Sequence, residues 1–235
     1  MNRRRSLGQH FLISSSIAKS IVNFANITKE DVVLEVGTGR GILIPYLCEK
    51  AKKVISIEKD MGLHIQAKEK FSHIPNLVLE QGDAFKKNHK FTILVSNLPY
   101  SKSRQAIEWL VQRKFSYAVI TVQKEFAEKL VAKTGSKDMR AISVLASYCM
   151  DVRNLMNVKK SNFSPAPQVD SVVIGLTQHH QISGNVMQAV NRLFSFKRKT
   201  LHNVGKQLGI AIDSNDRLED LPHGEIIEIA KRIVK

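Results

Sequence analysis

The sequence predicts a doubly wound α/β protein followed by a small helical segment. Three observations carry that expectation. From Asp31 onward, short β-rich runs alternate with helical patterns, as in consecutive βαβ units. The first of these runs ends in glycines at alternate positions and opens into a helix. The stretch after residue 177 shows helical periodicity and no strand pattern.

Taken in order, a helix is expected over 13–25, ahead of the first strand. Strands are expected over 32–36, 54–58, 77–80, 91–96, 117–122 and 169–176, all rich in Val, Ile, Leu or aromatic residues. Between them, helices are expected over 42–50, 62–71, 103–113, 124–132 and 140–148. In 103–113, Ala106, Ile107, Leu110 and Val111 fall on one face and form a core-facing stripe. The segment 161–168 holds Pro165 and Pro167, and each proline disfavours helix at the residue before it, so this stretch is extended or turning. A polar linker over 177–184 leads into three short helices, the last over 225–234. The domain division expected is therefore 1–177 and 178–235.

Composition narrows the function. The chain has 235 residues, 43% of them hydrophobic, which suits a globular catalytic domain with an appendage. Against 21 Asp and Glu stand 36 Lys and Arg, a formal charge of +15 that points to a polyanionic partner. No apolar run approaches the roughly 18–20 residues needed to cross a bilayer. Cys48 and Cys149 lie in apolar segments and form neither a metal-ligand cluster nor a disulfide framework, as expected of a cytoplasmic protein. The basic start, Met1 to Ser16, has no apolar run of the kind a secretory signal needs.

Three features fall at the ends of successive expected strands. Val32 to Val36 runs into Gly37-Thr38-Gly39-Arg40-Gly41, where glycine permits a tight turn and lets a ligand lie against backbone near a helix N-terminus. Glu58 ends the second strand, where a carboxylate can accept from both hydroxyls of a ribose. Asp83, after the third, offers an acceptor for an adenine amino group. Ligands in such sheets bind at those strand ends. The spacing is G-x-G-x-G and not the G-x-G-x-x-G of dinucleotide folds, which favours S-adenosylmethionine over a pyrophosphate cofactor.

After the fourth strand comes Asn97-Leu98-Pro99-Tyr100. The adenine amino nitrogen is a poor nucleophile because its lone pair is delocalised into the ring. The Asn97 amide oxygen and the Leu98 carbonyl, both accepting from that amino group, would localise the lone pair. Pro99 fixes the local backbone, and Tyr100 would stack on the base, worth roughly 1–3 kcal/mol.

These motifs resemble those of the ribosomal RNA small-subunit adenine N6,N6-dimethyltransferase family. The resemblance runs from Leu7 to about Leu176 and continues more weakly to the end. Leu7-Gly8-Gln9-His10-Phe11-Leu12 looks like the family's cofactor lid, usually written with Asn where this chain has His10. The Gly37–Gly41 turn, Glu58, Asp83 and Asn97 to Tyr100 match the family's motifs in order. Gln123-Lys124-Glu125 and the run from Asn162 through Phe163 to Val172 match the later ones. The tetrapeptide is followed by Ser101-Lys102-Ser103 where the family often has N-I-S.

The resemblance implies a Rossmann-like, seven-stranded S-adenosylmethionine-dependent methyltransferase fold that dimethylates two adjacent adenines near the 3′ end of small-subunit rRNA. It implies cofactor contacts from Gln9, His10, Leu12, Gly37, Gly39, Glu58, Asp83 and Asn97, and a flipped adenine held between Tyr100 and Phe163. The Arg- and Ser-rich, acid-poor start also suits an organellar presequence, but the same resemblance makes Gln9 to Leu12 part of the site and weakens that reading. A related branch methylates large-subunit rRNA, but the run from Phe194 to Leu201 resembles the basic helix of the small-subunit branch. RNA is expected to be gripped by Arg3, Arg4, Arg5, Lys102, Arg104, Lys197, Arg198 and Lys199. The rival readings are a ribosome-assembly or nucleic-acid-binding factor without essential catalysis, a nicotinamide-dependent oxidoreductase, and a DNA adenine methyltransferase.

Overall fold

The hydrophobic runs become strands of one sheet in which consecutive residues are buried, so both faces are covered. The computed structural model describes residues 10–234, and Gln9 and Arg3 to Arg5 lie outside them. In chain order the strands are β1 (Phe11–Leu12), β2 (Val32–Val36), β3 (Lys53–Glu58), β4 (Leu77–Gln81), β5 (Ile93–Asn97), β6 (Tyr117–Gln123), β7 (Met150–Val158), β8 (Phe163–Ser164) and β9 (Ser171–Gln178). The helices are α1 (Ser15–Phe24), α2 (Ile44–Lys50), α3 (Met61–Phe71), α4 (Ser103–Leu110), α5 (Lys124–Leu130), α6 (Ala141–Cys149), α7 (Gly184–Ser195), α8 (Leu201–Leu208) and α9 (His223–Val234).

The seven-stranded sheet has the order β4-β3-β2-β5-β6-β9-β7. Strands β2 to β6 pair in parallel, and β9 runs antiparallel to β6. The order reverses between β2 and β5, which opens a crevice beyond their C-terminal ends, the usual ligand site in sheets of this kind. The seventh strand, β7, lay outside the sequence expectation. It stands last in the strand order, and its exposed Asp151, Arg153, Asn154 and Asn157 break the apolar run that marks a buried strand. A second, two-stranded sheet joins β1 to β8, with Phe11 opposite Ser164 and Leu12 opposite Phe163.

The helices start where local chemistry dictates. Ser14 caps α1 by accepting from the Ile17 amide, and Asp60 caps α3 by accepting from the Leu63 amide. Helix α1 buries Ala18, Ile21 and Val22 in the core beside the central strands. The expected helix over 103–113 ends at Leu110, and its last residues close as tight turns, with Arg113 N donating to the Leu110 carbonyl at 2.9 Å.

The chain divides into two compact units, each assembled from separate stretches of sequence. One comprises residues up to 106, 114–124 and 153–177, and carries the sheet; the other comprises 107–113, 125–152 and 178–235. The second unit is discontinuous in sequence, combining two earlier stretches with 178–235. Within it, α6 is apolar and buried along most of its length, and α7 and α9 pack on it through Val186, Val190, Leu193, Ile226, Ile227 and Ala230. The basic run at 197–199 corrects the sequence reading. Helix α7 ends at Ser195 and 196–199 forms a turn before α8, so these cations stand on a turn and not on a helix.

The glycine turn after β2 is sterically committed. Gly41 has φ +73°, and a Cβ there would collide with the ring of Phe71 at the end of α3. Gly41→Ala is therefore expected to lower the unfolding free energy by about 1–3 kcal/mol. Urea unfolding followed by circular dichroism checks this, and an unchanged midpoint would show that the turn yields.

Candidate active site

A cavity of about 520 Å³ opens at the C-terminal ends of the parallel strands. Its wall brings together His10, Leu12, Gly37, Gly39, Glu58, Asp83, Asn97, Leu98, Pro99 and Lys102, so most residues expected at the site share one space. Register explains the convergence. Glu35 pairs with Val95 across β2 and β5, and two residues further on come Gly37 and Asn97. Glu58 pairs with Gln81 across β3 and β4, and two residues beyond Gln81 stands Asp83.

The glycine turn is held from below. Gly37, Gly39 and Gly41 all take positive φ. The Gly39 amide donates to Glu58 Oε2 at 2.8 Å, and the Asp60 amide donates to Glu58 Oε1 at 2.8 Å. Each carboxylate oxygen keeps a lone pair for a further donor such as a ribose hydroxyl. A Cβ on Gly39 would lie 3.3 Å from the Phe11 ring, which itself sits under the Arg40 guanidinium at 5.0 Å. Asp83 spends one oxygen capping a short turn, accepting from the Phe85 amide at 3.1 Å, and the other on Lys59 at 3.4 Å.

Sequence reasoning passed over Glu35. It lies in the cavity wall within β2, and Ser56 Oγ donates to its Oε2 at 2.5 Å. The Ser56 hydroxyl also meets Thr38 Oγ1 at 2.6 Å, so strand floor and glycine turn are joined by one hydroxyl chain. Burial, with a contribution from the Glu58 charge, pushes the Glu35 carboxyl up to about 8. The signal was available in the string Leu34-Glu35-Val36, an acidic residue inside an apolar strand.

The tetrapeptide Asn97 to Tyr100 begins on the last residue of β5. Asn97 Nδ2 donates to the His10 carbonyl at 3.3 Å. Its Oδ1 is buried and has no hydrogen-bond partner among the described residues. The Tyr100 ring lies against the His10 imidazole, with centroids 5.2 Å apart and planes at 32°. His10 Nδ1 donates to the Pro165 carbonyl at 2.8 Å. Phe163 departs from expectation. It is 3% exposed in the hydrophobic core, where it pairs through β8 with Leu12, and it is absent from the cavity wall; half-buried Tyr100 is also outside that wall, beside His10, which lines it.

The expected RNA contacts divide. Lys102 lines the cavity and donates to Gln105 Oε1 at 3.0 Å, and Arg104 is exposed at the start of α4. Lys197 is already engaged, with Glu219 Oε2 at 3.1 Å and the Met139 carbonyl at 3.3 Å. Arg198 and Lys199 are exposed.

The state of Glu35 sets a test of stability. An acid whose pKa rises on folding, here from 4.5 to about 8, binds more protons folded than unfolded between those values. Its contribution is therefore fully present below the unfolded value and is lost as pH climbs through the folded one. Glu35→Gln is expected to flatten the fall of unfolding free energy across that window, measured by urea titration at several pH values. Parallel curves for the two proteins would show that Glu35 ionises normally.

The comparisons agree with this geometry. The family model described as ribosomal RNA adenine dimethylase matches residues 1–235. The ribosomal RNA small subunit methyltransferase A of Thermotoga neapolitana is 36% identical over 233 residues, covering 96% of this chain and 90% of that one. Its counterpart from Thermotoga maritima is 35% identical over 236 residues, covering 97% and 85%. Among solved structures, a dimethyladenosine transferase from Plasmodium falciparum superposes with a TM-score of 0.81 at 27% identity, covering 94% of this chain and 96% of that one. The 23S rRNA methyltransferase ErmE shares the fold, with a TM-score of 0.67 at 20% identity over 96% of this chain and 100% of that one. A glycine turn braced by Glu58, a tetrapeptide with an unpaired amide oxygen, and a model matched from end to end place this chain in the ribosomal RNA adenine dimethylase family.

Proposed function

We propose that this chain transfers methyl groups from S-adenosylmethionine to the exocyclic amino nitrogen of adenine in small-subunit rRNA, dimethylating two adjacent adenines near the 3′ end. The observation that carries the reading is the unpaired Oδ1 of Asn97 in the cavity wall beside the cofactor turn. A buried acceptor without a partner costs about 1–3 kcal/mol, so its retention fits a donor that arrives with the substrate.

The residues fit the cofactor. The positive-φ turn brings backbone close to a ligand, Glu58 has acceptor capacity for a ribose, and Asp83 stands where an adenine amino group is read. His10 and Leu12 close the cavity from the lid side. When bound, S-adenosylmethionine supplies an electrophilic methyl group. Asn97 Oδ1 and the Leu98 carbonyl accept from the adenine amino group and localise its lone pair. Tyr100 holds the base by stacking, and with Phe163 in the core it carries that contact alone among the two aromatics expected there. Attack needs no prior deprotonation, because the methylated cationic amine is acidic enough to lose its proton afterwards. Orientation and hydrogen bonding supply the rate.

In this reading the chain works as a monomer in the cytoplasm, with residues 178–235 as its helical RNA-binding part. Among the described residues no helix is long and apolar enough to cross a membrane. Arg198 and Lys199 are the phosphate-binding cations of the 197–199 turn, and Lys197 anchors the turn to Glu219. A factor that bound RNA without chemistry would have no need of the unpaired Asn97 oxygen.

Asn97→Ala is expected to cut methyl transfer to small-subunit rRNA by at least ten-fold while RNA affinity stays within about two-fold, since the side-chain hydrogen bond to the reacting amino group is lost. Single-turnover transfer with nucleoside analysis of the product measures it, and near-normal transfer would sink the lone-pair mechanism. Neutralising Arg198 and Lys199 together is expected to lower the slope of log K against log salt by about 1.4–1.8 and leave the product as methylated adenine. An unaltered slope would place the phosphate contacts elsewhere.

A further inference from the structure

The run from Asn162 to Val172 does not bring Phe163 to the cavity, yet two other positions within it reach the catalytic tetrapeptide. The Pro165 carbonyl accepts from His10 Nδ1, and the His10 ring packs on Tyr100. Ser171 Oγ lies 2.5 Å from the Tyr100 hydroxyl. We propose that Ser171 is a positioning residue for methyl transfer: its hydroxyl fixes the ring of Tyr100, so that the face on which adenine stacks is set before the base arrives. The inference rests on the reading that Tyr100 stacks on the acceptor adenine.

Three features support it. Ser171 is 1% exposed, a site where a hydroxyl is costly unless it has a partner, and the tyrosine supplies one. The anchor is rigid, because Ser171 opens β9 opposite Gln123 of β6. The same β6 pairs on its other side with β5, where Asn97 stands opposite Thr121. Asparagine and tyrosine are thus referred to one sheet, one by its backbone and the other through the ring hydroxyl. Burial, the largest influence, pushes the Tyr100 phenol above its usual range, so the oxygen keeps its proton and the bond persists at working pH. A tyrosine ring free at its far end would turn about two side-chain torsions, and each base would have to select the productive one.

The test is a double-mutant cycle on the full chain with small-subunit rRNA as substrate. Ser171→Ala and Tyr100→Phe are each expected to lower kcat/KM for RNA by about three- to ten-fold, the range for one hydrogen bond. Affinity for S-adenosylmethionine should be unchanged in both, and circular dichroism should show both folded at the assay temperature despite the lower thermal midpoint that loss of a buried hydrogen bond brings. The double variant should be no worse than the poorer single one, because both substitutions remove the same bond. Losses that multiply would assign Ser171 a separate packing role and overturn the proposal, as would full activity in Ser171→Ala. If Ser171→Ala unfolds early, Tyr100→Phe decides, and a full rate there overturns it. Tyr100→Ala in the same assay separates the two readings: no effect there refutes stacking itself, whereas a large effect beside silent Ser171→Ala and Tyr100→Phe refutes only the positioning.

Discussion

The site depends on the hydrogen bond from the Gly39 amide to the Glu58 carboxylate. It ties the loop after β2 to the end of β3, two parallel strands whose pairing stops before that point. The loop can follow this path only with residues at positive φ, and the alternate glycines meet that condition without the strain a side chain would bring. The same carboxylate accepts from Asp60, which in turn caps α3. Helix α3 ends in Phe71, and its ring fills the space beside Gly41. The cradle and the helix that follows β3 therefore close on each other, and a change at any of these positions is felt at the others.

Within that frame the site contains two unusual polar groups. Asn97 presents its amide nitrogen to the His10 carbonyl, and that choice of orientation leaves the oxygen as the atom without a partner. The His10 carbonyl thus fixes which end of the amide is left without a partner. Glu35 is the second group. Its burial raises the carboxyl to about 8, so at neutral pH it is largely protonated and adds little negative charge to a wall that already holds Glu58. The two carboxyls differ in their partners: Glu58 accepts two backbone amides, and Glu35 accepts one hydroxyl.

The parts of the fold legible in the sequence are those that rest on one local rule. Val, Ile and Leu runs marked six of the strands in the large sheet, and glycine spacing marked the turn, since burial on two faces and positive φ each select residue types strongly. The edge strand Met150–Val158 escaped because an exposed edge does not select apolar residues. The same holds for the two-residue pairing of Phe11–Leu12 with Phe163–Ser164, which is too short to carry a period. At the site, Asn97, Glu58 and Asp83 were identifiable from strand ends. The assignment of Phe163 to the base was not readable from its surroundings in sequence, because the same aromatic serves equally as a core residue, and its neighbours at β1 make it one. The charge of Lys197 is visible in the sequence, but its partner Glu219 is not.

The segment after β7 shows how a motif can be specific without touching substrate. Asn162 offers its carbonyl to the Ile13 amide, Phe163 and Ser164 form the strand that pairs with the lid, and Pro165 holds the His10 ring. Asp170 accepts from the Lys160 amide through its side chain and from the Lys124 amide through its carbonyl, and Ser171 meets Tyr100. Of these partners, His10, Phe11 and Leu12 line the cavity. Pro165 and Pro167 limit the paths the chain can take between these points, so the spacing tolerates little change. The run from Asn162 to Val172 thus reaches His10, the Phe11–Leu12 strand and Tyr100 in one piece, beside the sheet that also carries Asn97.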